Sequence, residues 1–339
     1  MISTVAELES VLSAPSAGDI DALGSLEGPL LILGAAGKMG PSLAHRARRA
    51  LDAAGNSAPV IAVSRFSSPD LRARLESWNI QTIECDLLEP GALEKLPDAP
   101  NIIFMAARKF GSTGNPSLTW AVNTYLPGLV AHRWRESRIV AFSSGNVYPL
   151  VPVSSGGATE QTPPDPIGEY AQSVLGRERM FDYVSRNYGT PVALLRLNYA
   201  VELRYGVLVD IALKVRDRQP VDLNMGHVNV IWQGDANSVA LRCLHRAESP
   251  PFVLNLTGPE TLRVRDIARE FGKRFGVEPR FVGAEHPTAL LNNASLCHRL
   301  FGLPSLKAQD LIDLTAAWIL RGGEVHGKPT HFEMREGKF

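Results

Sequence analysis

Apolar residues follow two rhythms along this chain. Between residues 30 and 142 they form short continuous runs: Leu30–Leu33, Val60–Val63, Thr82–Cys85, Ile102–Ala106 and Ile139–Phe142. Runs of that length predict strands buried on both faces. Between them, apolar side chains recur at helical spacing over about Pro41–Ala54, Ser68–Trp78 and Leu118–Trp134. A further helix, Tyr170–Tyr188, leads to a further strand, Pro191–Leu195. Alternating strand and helix predicts an α/β fold, a doubly wound parallel sheet covered by helices on both sides.

The flanking regions read differently. Thr4-Val5-Ala6-Glu7 has the form of a capping box, with Val5, Leu8, Val11 and Leu12 at helical spacing behind it. Pro15 stops that helix, and Ser16–Gly28 reads as a connector. Residues 1–28 are therefore expected to be a helical extension on the outside of the main domain, or an arm reaching a second subunit. Past Arg196 the segments are mixed: helix Val207–Arg216, strand Asn229–Trp232, helix Asp235–Ala247, strand Phe252–Leu256, and helix Val264–Phe275 opened by Thr261. A last helix, Ala308–Leu320, ends at Gly322-Gly323, and a charged tail runs to Phe339. The expected division is a main domain over residues 29–196, with parts of 227–256 returning to it. Residues 197–339 would mostly form a smaller C-terminal lobe that closes over the strand ends.

The first strand carries the chemistry. Leu30–Leu33 runs straight into Gly34-Ala35-Ala36-Gly37-Lys38-Met39-Gly40, and a helix follows. A strand, a glycine turn and a helix N-terminus together suit a dinucleotide pyrophosphate. Glycines let the backbone approach phosphate, and the unpaired N–H groups of the first helical turn face the anion.

Composition narrows the possibilities. Hydrophobic residues at 45% and charged residues at 21% are ordinary for a soluble globular protein. Lys plus Arg equals Asp plus Glu, 35 each, so no basic field favours nucleic acid or an anionic membrane. No apolar run approaches the roughly 20 residues of a membrane span, and the polar N-terminus does not read as a secretory signal. Cys85, Cys243 and Cys297 are too scattered for a disulfide framework or a metal site. A cytoplasmic protein without a metal is expected.

Several segments in order resemble the extended short-chain dehydrogenase/reductases, the group of nucleotide-sugar epimerases and dehydratases built on a Rossmann-type fold. The likeness covers about Leu30–Phe275. Gly34–Gly40 matches the family's glycine turn; Cys85-Asp86-Leu87 resembles its adenine-contacting segment; Phe104-Met105-Ala106-Ala107 resembles the strand beneath the nicotinamide ribose. Asn123 falls where the family keeps a structural or proton-relay asparagine. Phe142–Tyr148 resembles its serine strand, and Thr159-Glu160 with Pro163, Pro166 and Tyr170 the run to its tyrosine. The resemblance implies Tyr170 as proton donor or acceptor and Ser144 as the group orienting the substrate oxygen. It implies cofactor contacts from Gly34, Gly37, Lys38, Met39, Gly40, Ser64, Arg65, Asp86, Leu87, Ala106, Ala107, Asn123 and Tyr170. It also implies a homodimer seam on helices Leu118–Trp134 and Tyr170–Tyr188.

Three departures matter. The second strand ends in Ser64-Arg65 rather than an acidic residue. A hydroxyl and a guanidinium suit a 2′-phosphate, so NADP is expected, with NAD as the alternative. Val174 stands four residues after Tyr170, where the family keeps a lysine that binds the ribose and lowers the tyrosine's pKa. An unperturbed phenol near pKa 10 needs about 4 kcal/mol to ionise at pH 7; Arg108 and Lys109 are candidate replacement cations, or simply solvated loop charges. Gly145-Asn146 replaces the acidic pair of the dehydratases, and Asn198-Tyr199 follows the strand where an asparagine usually falls one position later. The substrate site therefore draws on Ser144 and Asn198, and on Asn146, Tyr148, Arg204 and Trp232, any of which last four could instead be ordinary packing. The expected function is an NAD(P)-dependent oxidoreductase or epimerase on a hydroxyl or carbonyl of a sugar-like small molecule. The alternative is a non-catalytic NAD(P)-binding sensor or scaffold, because of Val174.

Overall fold

Seven parallel strands form the central sheet: β1 (Leu30–Leu33), β2 (Val60–Ser64), β3 (Gln81–Glu84), β4 (Asn101–Phe104), β5 (Arg138–Ser144), β6 (Val192–Leu197) and β7 (Phe252–Leu256). In space they run β3-β2-β1-β4-β5-β6-β7, so the winding direction reverses between β1 and β4. Leu33 lies in register with Val63 on one side and Phe104 on the other. The computed structural model describes residues 2–112 and 114–338; Met1, Thr113 and Phe339 lie outside the described residues. The architecture is a Rossmann-type α/β fold.

Helices α1 (Val5–Leu12) and α2 (Ala17–Gly24) precede the sheet. Between strands run α3 (Gly40–Ala53), α4 (Pro69–Ser77), α5 (Pro116–Trp120), α6 (Leu126–Arg133) and α7 (Gly168–Tyr188). The C-terminal part contributes α8 (Val207–Arg216), α9 (Gln233–Arg242), α10 (Val264–Phe275), α11 (Ser295–Phe301) and α12 (Ala308–Leu320). Strand side chains alternate faces. Leu30, Ile32 and Val60 pack with Leu43 of α3 and Val239 of α9, while Leu31, Leu33 and Phe104 pack with Val130 of α6 and Phe181 of α7. Both faces are apolar because both are covered, which is why the strands read as continuous runs. A third cluster joins α8, α10 and α12 to Tyr148, Tyr170 and Val174.

Four local expectations change. The stretch read as a connector, Ser16–Gly28, holds α2, opened by a capping box between Ser16 and Asp19. The first 28 residues are not merely an outer layer: Leu8 and Leu12 are fully buried in the third cluster, and Asp19 pairs with the buried Arg46 at 2.7 Å. The expected single helix Leu118–Trp134 is interrupted by a π turn at Ala121–Tyr125. Thr261 does not open α10; the cap position is Arg263, with no side-chain bond.

One buried polar network ties α7 to the sheet. Arg196 of β6 donates from Nη2 and Nε to the Glu178 carboxylate of α7, at 2.7 and 2.9 Å. Ser143 of β5 donates its hydroxyl to the same carboxylate. Arg196 Nη1 also reaches the Tyr148 hydroxyl at 2.7 Å, which in turn donates to Asn255 of β7 at 2.9 Å. Removing one partner would strand a buried charge, at a cost of about 3–5 kcal/mol. Arg196→Met is therefore expected to lower unfolding stability by about that amount in urea denaturation; a loss below ~1 kcal/mol would show that the network does not anchor α7.

Candidate active site

The glycine turn lies at the reversal point of the sheet, where open α/β sheets leave a crevice at their carboxyl ends. Gly34 adopts a left-handed φ of 89°, and a Cβ there would sit 2.6 Å from the Ala106 nitrogen, so only glycine fits. Gly37 N and Gly40 N bond to Gly34 O and Gly37 O, closing the turn on itself at 3.1 and 3.2 Å. The amides of Ala36, Lys38 and Met39 are not among the bonds that close it. They lie in the turn just before α3, whose dipole adds positive potential there.

A cleft of about 450 Å³ opens beside this turn. Gly37, Lys38, Ser68, Arg74, Arg204 and Lys328 line it. Lys38 Nζ and Arg74 Nε are buried without a hydrogen-bond partner. The Lys38 ammonium sits 2.8 Å over the Tyr205 ring and 5.0 Å from that of Phe110. Burial, with the like charges of Lys328 and Lys109, lowers its pKa to about 7. An unpaired cation beside free amides fits an anionic group such as a pyrophosphate.

Beyond the cleft, β5 ends at Ser144 and α7 begins two residues before Tyr170. The Ser144 hydroxyl stands beside the Tyr170 phenol, near enough to lower its pKa. Ser144 Oγ also donates to Asn146 Oδ1 at 3.0 Å. Burial raises the Tyr170 pKa, opposed by the neighbouring Arg177 guanidinium and by Ser144. At neutral pH the phenol therefore keeps its proton. Val174 is fully buried in the apolar cluster and supplies no charge. Two cations stand nearby instead. Arg177 is 2% exposed, and donates to Phe142 O at 2.6 Å and Asn123 Oδ1 at 3.0 Å. Burial lowers its pKa to about 10, which leaves it charged at neutral pH. Lys109 Nζ lies 5.8 Å from the Tyr170 ring centre, and burial brings its pKa down to about 8.

The other expected site residues separate into groups. Asn123 is buried and braces the loop after β4, accepting from Arg108 N and donating to Arg108 O, both at 2.9 Å. Ala106 packs against Gly34, while Ala107 is exposed. Ser64 ends β2, and Arg65 is 78% exposed with Asp86 at 3.8 Å. Leu87 is buried in the sheet's second face. Asn146 and Tyr148 share a small pocket, whereas the Tyr148 hydroxyl is occupied by Arg196 and Asn255. Arg204 lines the cleft but is held by Glu9 and Glu202 at 2.7 and 3.1 Å.

Two expected substrate residues are buried in the interior. Asn198 is buried, donating to Asn229 at 2.7 Å. Trp232 is a core residue, buried in the cluster that includes Leu12. Both fall on apolar or bonded neighbours that are distant in sequence, so local context did not reveal their direction.

Arg177 was missed in the sequence, although it lies two helical turns after Tyr170 and so shares its face of α7. Also unforeseen were Tyr205, Asp210 and the tail. Thr330 donates its amide and hydroxyl to Asp210 Oδ2, at 2.7 and 2.5 Å. Lys109 Nζ donates to Thr330 O at 3.4 Å.

Comparison with known proteins bears on the fold and the family. The sequence model described as NAD dependent epimerase/dehydratase family matches residues 30–201. No curated protein sequence gives a significant match. Among solved structures, UDP-glucuronic acid 4-epimerase from Bacillus cereus, in complex with UDP-glucuronic acid and NAD, superposes with a TM-score of 0.71 at 18% identity, covering 86% of this chain and 99% of that one. The dTDP-glucose 4,6-dehydratase from Bacillus anthracis, in complex with NAD, gives 0.73 at 16% identity, covering 87% and 97%. The UDP-glucose 4-epimerase from Thermotoga maritima, with UDP-glucose, gives 0.70 at 16%, covering 87% and 99%. At such identities the likeness establishes the fold.

Proposed function

This chain belongs to the NAD dependent epimerase/dehydratase family, and on that footing we propose that it is an NAD(P)-dependent oxidoreductase or epimerase. Its substrate would be a sugar-like molecule reacting at a hydroxyl or carbonyl carbon. The observation that carries this reading is the Ser144–Tyr170 hydroxyl pair, with the buried Arg177 guanidinium beside it. When bound, the nicotinamide cofactor supplies or accepts the hydride.

The residues around the turn fit that cofactor. Free amides at Ala36, Lys38 and Met39 would hold the pyrophosphate, with the Lys38 ammonium as an added charge. Ser64 and Arg65 would receive a 2′-phosphate, since no acidic side chain stands at the end of β2 to repel it. NADP is therefore the proposed cofactor. Asp86 would have to release Arg65, a surface pair at 3.8 Å whose loss costs little.

Tyr170 and Ser144 handle the proton. Ser144 holds the substrate oxygen in hydrogen-bond reach of the phenol, and Tyr170 gives its proton to that oxygen as the carbonyl is reduced. A neutral phenol is the form that this direction needs, and burial favours it. In the oxidative direction Tyr170 must accept a proton, and the positive charges of Arg177 and Lys109 offset part of the cost that the missing lysine would have covered. Val174 favours the alternative, a cofactor-binding sensor without turnover; Arg177 and Lys109 weigh against it. A homodimer is also part of the proposal. Leu118, Trp120, Tyr125 and Leu129 along α5, the π turn and α6, with Tyr183 and Tyr188 on α7, are large apolar side chains left exposed. On α7, Val174, Phe181 and Val184 belong to the monomer core.

Three outcomes are expected. Tyr170→Phe should keep cofactor affinity and lower kcat by about 10²–10⁴-fold on whichever substrate of a carbonyl and sugar panel is turned over; unchanged turnover would exclude the phenol as proton carrier. Isothermal titration with NAD, NADH, NADP and NADPH reads the cofactor preference and the Lys38 charge together. Because Lys38 titrates near 7, its attraction for phosphate is complete below that pH and fades above it. Affinity should fall about tenfold from pH 6.5 to 8.5, and Lys38→Met should flatten that slope; equal slopes in both proteins would place Lys38 away from the phosphates. Tyr125→Glu combined with Tyr183→Glu should shift the sedimenting species from dimer to monomer, and a wild-type protein already monomeric at micromolar concentration would remove the dimer.

A further inference from the structure

The cleft beside the glycine turn carries more positive charge than a pyrophosphate accounts for. Lys38, Arg74 and Lys328 all line it, and none is in ion-pair contact with a carboxylate among the described residues. Lys38 Nζ and Arg74 Nε are buried with no hydrogen-bond partner. Glu9 and Arg204 share the walls but hold each other at 2.7 Å, so their charges are offset. The turn's amides and Lys38 suffice for a pyrophosphate, which leaves Arg74 of α4 and Lys328 of the tail over. At about 450 Å³ the cleft has room for the adenosine end of a dinucleotide.

The backbone after β2 indicates which group these two cations would meet. Strand β2 ends at Ser64, where a dinucleotide places its adenosine ribose. Phe66 then turns the chain sharply, with a left-handed φ of 42° and its side chain buried in the same cluster as Leu43 of α3. A bulky residue keeps such a φ only where its surroundings fix it. The turn parts two near neighbours: Arg65 is 78% exposed and does not line the cleft, whereas Ser68 does. Ser68 is the cap residue of α4, yet its hydroxyl makes no capping bond. Six residues on, the Arg74 guanidinium lies 5.4 Å from the Trp78 ring centre, and Trp78 stacks on His45 of α3 at 3.9 Å. That stack joins α4 to α3 and limits where the guanidinium can move.

We propose that Ser68, Arg74 and Lys328 form a phosphomonoester site whose ligand is the 2′-phosphate of NADP. The Ser68 hydroxyl and the Arg74 guanidinium donate to the phosphate oxygens from α4, and the Lys328 ammonium approaches them from the tail. A phosphate dianion matches the two charges that the protein does not itself offset. The proposal rests on the cofactor reading above and goes beyond it: Arg65 offers a solvent-exposed contact only, while Arg74 and Lys328 decide between NADP and NAD. It also makes the C-terminal tail part of the cofactor site.

The test is calorimetric titration of the full chain with NADPH and with NADH. The wild type should bind NADPH about tenfold more tightly or better. Arg74→Gln should lose about tenfold for NADPH while its NADH affinity stays within about twofold, which also shows that the variant is folded. Lys328→Gln should show a smaller loss of the same selective kind, and Arg74→Lys should regain part of the affinity. If Arg74→Gln fails to fold, Lys328→Gln, on an exposed stretch of the tail, carries the test by itself. Equal losses for both nucleotides, NADPH affinity unchanged in both variants, or a preference removed by Arg65→Gln alone would each overturn the proposal. A wild type that prefers NADH, or binds NADPH without regard to Arg74 and Lys328, fails this inference and leaves the enzyme reading standing. No binding of any nicotinamide nucleotide fails both.

Discussion

The position of α7 against β5 is the constraint on which the site depends. Ser144 ends a strand and Tyr170 lies in the first turn of a helix, so the two hydroxyls meet only if the helix keeps one rotation and one height above the sheet. Glu178 fixes both. Its carboxylate, 3% exposed at the side chain, is gripped by Arg196 of β6 and receives the Ser143 hydroxyl of β5. A buried pair of this kind adds little net stability compared with apolar packing, but it tolerates few alternative arrangements. Here its geometric effect is to hold a 21-residue helix in register with the sheet.

Charge in the cleft is arranged around the same helix. Arg177 points at β5 and is satisfied by carbonyl and amide oxygens rather than by a carboxylate. Its positive field falls on Tyr170 as well as on Glu178. Lys109 approaches from the loop after β4, and Lys38 from the glycine turn. Burial lowers the pKa of each, as expected for cations moved out of water.

The two ends of the chain converge on Arg204. Glu9 of α1 accepts from its guanidinium at 2.7 Å, Glu202 accepts from its Nε, and the tail's His326 amide bonds to its carbonyl. The terminal segments therefore close the rim of the cleft, and residues more than 300 positions apart in sequence form one wall.

Much of this was legible without the structure. The boundaries of α8, α10 and α12 and of β7 follow from periodicity, because burying one stripe of a helix or both faces of a strand leaves a local pattern. Gly34 and Gly40 were legible because a turn that backbone must enter closely admits only glycine. Other features had no local signature. Ser16–Gly28 was too short and polar to announce α2, and Trp232 could have faced a pocket as easily as the core. Arg177 looked like any charge on an amphipathic helix until the fold placed β5 and Asn123 around it. Sequence alone determined which segments are strands, the glycine turn and the residue types at the strand ends, since each leaves a pattern within a few residues. Tertiary structure decided which cations stand beside Tyr170, and that the tail forms a wall of the cleft. Those contacts join residues such as Asp210 and Thr330, 120 positions apart, and no local pattern encodes a pairing at that distance.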